Sequence, residues 1–220
     1  MADLSAQSPV FVIGTLRSGA SLLSLALSQH PQVQHVLQNQ WVEEFSIGLI
    51  RSFRAASRSK AISQVDINGI DLDAFFARFG ETAFGMMSPN GSSRAIVLDS
   101  TPANLFLVTP LRLLFPTAKF FHVVRDANEV VESLSNRQLL TVYKSRYIEC
   151  SVAEARAHWL DGIRAGMEAE RAFGSSIVHR VCRRDLVVDP ASTLEACFAF
   201  LNLTFDHAAL RPFSSVPDPV

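Results

Sequence analysis

The segment from Gly14 to Ser21 (GTLRSGAS) contains the residues whose types and spacing point most clearly to chemistry. Gly14 and Gly19 lie five positions apart and allow a tight turn that points successive backbone amides inward. The apolar run before Gly14 predicts a buried strand, and the leucine-rich stretch after Ser21 predicts a helix. Because the first amides of a helix and its dipole attract anions, the sequence predicts a phosphate-binding loop here.

This loop departs from the nucleotide-triphosphatase pattern G-x-x-x-x-G-K-[ST], because Ala20 stands where that pattern has lysine. Such hydrolases use the lysine to reach the β- and γ-phosphates of the nucleotide. Arg17 is the only cation within the loop. Asp99, which follows the apolar segment AIVL, resembles a Walker B acid and leaves a P-loop kinase as an alternative.

A second basic site follows the apolar segment KFFHVV at 119–124. Arg125 comes directly after this predicted strand, and Ser133 lies eight residues later. Asp126 and Glu129 have the spacing of a capping box, which predicts that a helix starts at Asp126. From its position alone, Arg125 fits either an anion contact or a surface ion pair with one of these two acids.

Strands and helices alternate along most of the chain. Strands are predicted near 9–13, 33–37, 95–98, 119–124 and 176–182, and helices near 21–29, 43–61, 71–84, 104–115, 126–134, 151–173 and 190–201. This alternation predicts a single three-layer α/β/α domain over 1–220, with a mainly parallel sheet of the P-loop NTPase-like type.

Composition and charge exclude several classes of protein. Hydrophobic residues make up 48% of the 220 residues and charged residues 19%, which is typical of a folded domain. The net charge of −1 argues against a nucleic-acid partner. No apolar stretch is long enough to span a bilayer, and the first ten residues do not resemble a signal peptide. A cytoplasmic location is therefore expected.

The cysteines and histidines of the chain lack the spacing of a metal site. Three cysteines are an odd number and predict reduced, buried thiols. Three histidines lie in apolar surroundings and are predicted to pack in the core rather than bind a ligand: His35, His122 and His158.

Two segments carry a resemblance to a known family. FVIGTLRSGASLL, with QHPQV shortly after it, resembles the 5′-phosphosulfate loop of the sulfotransferase family, in the RSGT form of protein-tyrosine and many bacterial members. LFPTAKFFHVVRDANEVVESL resembles the family's 3′-phosphate motif, including the spacing from Arg125 to Ser133. A third segment, RDLVVDPASTLEACFAFLNL, resembles the part that closes the family's domain. Together the matches run from about Pro9 to Leu203.

The resemblance implies that the donor is 3′-phosphoadenosine 5′-phosphosulfate (PAPS) and that its sulfuryl group moves to a hydroxyl or amine, with no metal ion. It implies that Arg125 and Ser133 hold the 3′-phosphate, and that Arg17 also stabilises charge on the leaving phosphate. The acceptor implied is a small molecule, a saccharide or a lipid. The donor-binding loop residues implied are Thr15, Leu16, Arg17, Ser18, Gly19, Ala20 and Ser21.

The chain departs from the family pattern at positions that bear on catalysis. Ala20 replaces the usual threonine, and Ser100 stands where many members have the lysine of Lys-Thr-Pro. Gln38 and Gln40 occupy the region after the second strand in which the family often has a glutamate base. An amide cannot take up the acceptor's proton, so these departures favour a second hypothesis, a catalytically silent nucleotide-binding relative that acts by interaction.

The candidates for a general base are acids near the expected loop ends. Glu44 is predicted as the base and Glu43 as its alternative, with Asp99 as a third candidate. At about 100° per helical residue, Glu44 flanks the apolar stripe of the predicted helix, whereas Glu43 points away from it. The competing interpretation is that both acids occupy a solvated first helical turn, where the helix dipole favours them.

Overall fold

The computed structural model describes residues 8–36, 44, 47–48, 72–87, 96–135, 139–141, 146–148 and 151–214. The strands are β1 (Ser8–Gly14), β2 (Val33–Val36), β3 (Ile96–Asp99), β4 (Lys119–Val124), β5 (Leu139–Thr141), β6 (Arg146–Ile148) and β7 (Val178–Cys182). The helices are α1 (Ala20–Leu27), α2 (Leu72–Met87), α3 (Val108–Leu114), α4 (Ala127–Ser135), α5 (Val152–Phe173), α6 (Arg183–Val188) and α7 (Pro190–Phe200), with 3₁₀ helices at Pro102–Phe106 and His207–Phe213.

Five parallel strands form the central sheet in the order β2-β3-β1-β4-β7. β1 lies in the middle, where Phe11 is opposite Asp99 of β3 on one side and Phe120 of β4 on the other. This arrangement confirms the predicted parallel α/β fold of the P-loop type. β5 and β6 form a separate antiparallel pair that the sequence analysis did not predict.

The two faces of β1 serve two different hydrophobic cores. Val10 and Val12 pack with residues of α1 and α7, whereas Phe11 and Ile13 pack with residues of α3 and α5. Burying a large aliphatic or aromatic side chain contributes about 1.5–3 kcal/mol to folding stability. A strand that is apolar on both faces is therefore stable only when helices cover both faces. The continuous apolar run before Gly14 therefore places the loop that follows it at a sheet edge framed by helices.

One predicted helix is divided in the structure. The segment expected to be helical over 104–115 instead contains a 3₁₀ helix, a break at Leu107 and then α3. Pro110 explains the break, because it has no N–H to donate to the preceding turn and its ring would crowd that turn's carbonyl. It is accommodated in the first turn of α3, where backbone N–H groups have no partner within the helix.

α5 approaches the sheet closely through two glycines one turn apart. A Cβ at Gly162 would lie 2.2 Å from Thr15 Cγ2, and one at Gly166 would lie 2.1 Å from His122 Nε2. His122 is 1% exposed, which confirms that it packs in the core, and its Nδ1 lies 2.6 Å from Glu170 of α5. α5 therefore packs closely against both the loop that follows β1 and the neighbouring strand β4.

None of the helices in the described part of the chain is both long and apolar enough to cross a membrane.

Candidate active site

The loop between β1 and α1 turns sharply at two left-handed residues, Arg17 (φ 68°) and Gly19 (φ 103°). The Ser18 amide closes the first turn by donating to the Thr15 carbonyl at 3.0 Å, and α1 begins at Ala20. A non-glycine residue in this conformation costs about 1–2 kcal/mol, so the surrounding contacts must hold Arg17 in place. The predicted strand, glycine turn and helix are all present.

A cavity of about 280 Å³ lies at this edge of the sheet. Its walls come from the loop, from the ends of β3 and β4 and from the start of α6. It is lined by Val12, residues 14–22, Ser100, Pro102, Arg125 and Arg183. All seven predicted loop residues and Arg125 therefore share one cavity.

Arg125 is held in place from several sides. Its Nη1 donates to the Arg17 carbonyl at 2.9 Å, and its Nε donates to Glu129 Oε2 at 2.8 Å. The indole of Trp159 on α5 donates to the Arg125 carbonyl at 3.0 Å. The two interpretations of Arg125 from the sequence are thus compatible, because the side chain forms the ion pair with Glu129 and also lines the cavity.

Ser133 joins the same cluster through Arg17. The Arg17 Nε donates to Ser133 Oγ at 2.9 Å, which directs this exposed guanidinium towards α4. Ser133 itself is not among the residues that line the cavity. Its predicted role at a 3′-phosphate therefore stays a prediction.

Arg183 is a cation of the cavity that the sequence analysis missed. It begins α6 directly after β7 and packs over Gly19, where a Cβ would lie 3.1 Å from its Cδ. Burial lowers the pKa of Arg183, the charges of Arg125 and Arg17 lower it further, and Glu129, whose carboxylate is 3.5 Å away, opposes them. A basic residue directly after an apolar strand of a parallel sheet was the available signal, since ligands bind at this edge.

The electrostatics of the cavity favour an anion with more than one charged group. The guanidinium groups of Arg125 and Arg183 converge on the carboxylate of Glu129, and Arg17, whose guanidinium donates to Ser133, adds a third cation to the lining of the cavity. Ser18 adds a buried hydroxyl for which no hydrogen-bond partner is found among the described residues. Buried hydroxyls are normally paired, so an unpaired one beside the cavity is a candidate contact for a ligand.

A polar group lies where β2 and β3 end. His35 Nε2 and Ser100 Oγ are 3.0 Å apart, and Ser100 lines the cavity. Asp99 Oδ1 accepts hydrogen bonds from the amide and hydroxyl of Thr101, at 2.8 and 2.6 Å. Burial raises the pKa of Asp99 despite these bonds, and burial lowers the pKa of His35. His35 thus contacts the cavity wall, which the packing prediction did not anticipate.

His158 also differs from a purely packed histidine. Its Nε2 accepts a hydrogen bond from the Leu16 amide at 3.3 Å, and burial lowers its pKa, which favours the neutral ring. This contact between α5 and the loop supports the loop from the side opposite α1.

Of the two predicted bases, the structure describes only Glu44, and that residue does not line the cavity. Glu44 is helical and exposed. Glu43, Gln38 and Gln40 lie outside the described residues. The assignment of a base to Glu44 or Glu43 therefore stays a prediction.

The chain is similar in sequence and in fold to known sulfotransferases. A protein-tyrosine sulfotransferase of Drosophila melanogaster is 24% identical over 204 residues, which make up 92% of this chain but only 39% of that protein's length. The sulfotransferase domain from the curacin biosynthetic pathway has a similar fold, with a TM-score of 0.66 and 22% identity over 94% of this chain and 78% of the domain. A mouse sulfotransferase complexed with PAP has a TM-score of 0.53 and 12% identity over 96% of this chain and 67% of that one.

The sequence model of the sulfotransferase family matches residues 9–207, a range that includes the loop, Arg125, Ser133 and Arg183. The resemblance found from the sequence is thereby confirmed, and this chain belongs to the sulfotransferase family.

Proposed function

We propose that this protein takes the sulfuryl group of PAPS and transfers it to a hydroxyl or amine of a small-molecule, saccharide or lipid acceptor. The observation that carries the proposal is the cavity lined by the loop after β1, which includes Arg17, and by Arg125 and Arg183. Family membership supports the reaction class. The complex of the mouse sulfotransferase with PAP supports the kind of nucleotide.

The fit of the cavity to the donor is supported by its hydrogen-bond donors. The loop amides and the N-terminus of α1 suit the 5′-phosphate, and the buried Ser18 hydroxyl adds a donor without a partner among the described residues. Arg125 has more N–H groups than its contacts with Arg17 and Glu129 use, so its guanidinium can also bind a phosphate.

Arg17 is proposed to act on the reacting group. Bound PAPS would supply the sulfuryl group, and negative charge would develop on the 5′-phosphate as the bond to sulfur breaks. The Arg17 guanidinium is exposed and hydrogen-bonded to Ser133, so it can exchange that neutral partner for an anion. A charge-assisted contact of this kind is stronger than the bond that it replaces.

A silent nucleotide-binding relative is the second candidate function. The observation that favours it is Ser100, which brings a hydroxyl to the cavity wall at the position where the family resemblance implies a lysine. Nucleotide binding would then persist without transfer.

Calorimetric titration separates these possibilities. Adenosine 3′,5′-bisphosphate should bind at least about tenfold more tightly than 5′-AMP, because a charge-assisted contact contributes about 1.5–3 kcal/mol. Equal affinities would refute the donor assignment, and a preference for ATP with Mg²⁺ would favour the P-loop kinase. A single-turnover assay with labelled PAPS and a panel of acceptors then tests transfer. Tight bisphosphate binding without transfer would favour the silent relative.

A further inference from the structure

The cavity wall formed by the end of β3 contains a serine–histidine pair that the proposed reaction has not used. Ser100 lines the cavity, and its Oγ lies 3.0 Å from Nε2 of His35, which is not itself among the lining residues. The pairing of β2 with β3 fixes this contact, because His35 is in register with Leu98, two positions before Ser100. A serine of the cavity wall is therefore hydrogen-bonded to an imidazole that lies outside the lining.

The environment of His35 favours a proton acceptor. Its ring is half-buried, and burial lowers its pKa, so the imidazole is neutral near pH 7. In the tautomer with a proton on Nδ1, Nε2 accepts the Ser100 O–H, and the lone pairs of Ser100 Oγ are left for a group in the cavity. The nearby charge of Asp99 favours the imidazolium as it forms.

We propose that Ser100 and His35 form a proton relay that deprotonates the acceptor during sulfuryl transfer, an inference that rests on the proposed function. An oxygen lone pair of the acceptor forms the new bond to sulfur. The bond between sulfur and the bridging oxygen of PAPS breaks, and its electron pair stays on the 5′-phosphate of the leaving bisphosphate. The acceptor's proton moves to Ser100 Oγ while the Ser100 proton moves to His35 Nε2, and nothing is oxidised or reduced.

The relay gives the two residues different roles. Ser100 is the catalytic residue, because its hydroxyl touches the acceptor. His35 is a positioning residue that orients the serine and takes up the proton behind it. The pair would also explain how a chain with Gln38 and Gln40 in the usual region of the base removes the acceptor's proton.

The tautomer of His35 can be measured without turnover. In a long-range ¹H–¹⁵N NMR spectrum of the wild-type protein near pH 7, we expect the Nδ1–H tautomer, with an Nε2 resonance that shifts in the Ser100→Ala variant. An Nε2–H tautomer would overturn the relay, because the histidine would then donate to the serine and could not accept its proton.

Transfer rates on two classes of acceptor provide the functional test. His35→Gln and Ser100→Ala should each slow transfer to un-ionised alcohols and phenols by at least about a hundredfold, the low end of the usual range for a proton-transferring group. Phenols that are already ionised at the assay pH should react within about threefold of the wild-type rate, because they have no proton to lose. His207→Gln replaces an exposed histidine outside the cavity and should leave both rates unchanged.

Other outcomes overturn the relay. An equal loss on both classes of acceptor would mean a structural role for the pair, and a loss confined to Glu44→Gln would assign the base to that residue. Bisphosphate titration of each variant separates this failure from failure of the proposed function. A wild type that binds no bisphosphate refutes the donor, whereas a wild type that binds it and transfers to nothing refutes catalysis and the relay together.

Discussion

Replacing Arg125 by alanine tests the donor site most directly. The side chain lines the cavity, is 17% exposed and donates to both the Arg17 carbonyl and Glu129. If it binds the 3′-phosphate, Arg125→Ala removes a charge-assisted contact that only a 3′-phosphorylated ligand makes. The affinity ratio of adenosine 3′,5′-bisphosphate to 5′-AMP should therefore collapse towards one.

The expected size of this effect follows from the contacts. The lost contact contributes about 1.5–3 kcal/mol to the binding free energy of the bisphosphate, which corresponds to roughly 10- to 150-fold in affinity. The ion pair with Glu129, which is 49% exposed, contributes only about 0.3–0.5 kcal/mol to folding, and the bond to the Arg17 carbonyl about 1 kcal/mol. Folding should survive these losses. Any loosening of the loop weakens the binding of both nucleotides, so the ratio of their affinities reports the contribution of the 3′-phosphate alone.

Paired calorimetric titrations measure that ratio in the wild type, in Arg125→Ala and in a control. Arg164→Ala removes the same charge from a side chain that is 71% exposed on α5 and should leave the ratio unchanged. A ratio in Arg125→Ala that equals the wild-type ratio would refute the assignment of this residue to the 3′-phosphate. An equal drop in the control would attribute the effect to overall charge.

Four other perturbations have expected outcomes. Arg17→Ala should lower kcat by about 10²- to 10³-fold and change bisphosphate affinity far less, measured by single-turnover rates and by titration. An unchanged kcat would mean that a different cation stabilises the charge on the leaving phosphate. Gly162→Ala should destabilise the protein by about 1–3 kcal/mol in urea unfolding and weaken bisphosphate binding, because the new Cβ would lie 2.2 Å from Thr15 Cγ2. A variant as stable as the wild type would contradict this close packing. Glu129→Gln should tighten bisphosphate binding severalfold at low salt, since it removes a repulsion of about 1 kcal/mol between the carboxylate and the bound phosphate. This gain in affinity should shrink at high salt, and weaker binding by the variant would contradict the reasoning. The unfolding free energy should fall as the pH drops below about 6.5, because burial lowers the pKa of His122 and the unfolded chain therefore binds more protons than the folded protein. Equal stability at pH 7.5 and 5.5 would contradict this.

Local patterns were sufficient for the elements that carry the loop. β4 has the bounds Lys119–Val124 that the apolar run predicted, and β1 ends at Gly14, where the loop starts. These strands are largely apolar because they are buried on both faces, so composition alone marks them. The prediction of one helix over 104–115 was wrong in its first half, because Pro110 cannot donate a hydrogen bond to the preceding turn and a 3₁₀ helix forms there instead.

Sequence reasoning was weaker where the site depends on distant segments. Arg183 reaches Glu129 across 54 positions, and His35 reaches Ser100 across 65, so neither contact leaves a local pattern. Both follow from topology: parallel strands bring their carboxyl ends to one edge, and the strand order then decides which ends are neighbours. The order β2-β3-β1-β4-β7 was not predicted, and with it these two contacts were missed.

The carboxylate of Glu129 reconciles a stable cavity with an anionic ligand. Arg125 and Arg183 are largely shielded from water, with side chains 17% and 29% exposed, and two such cations close together repel each other in the free protein. Glu129 contacts both and offsets that repulsion, yet it is 49% exposed and can return to solvent at little cost. A phosphate that displaces it meets two guanidinium groups already held in place, which reduces the conformational entropy lost on binding. If the proposed donor binds here, its phosphate would therefore replace the same carboxylate that holds the two guanidinium groups in place.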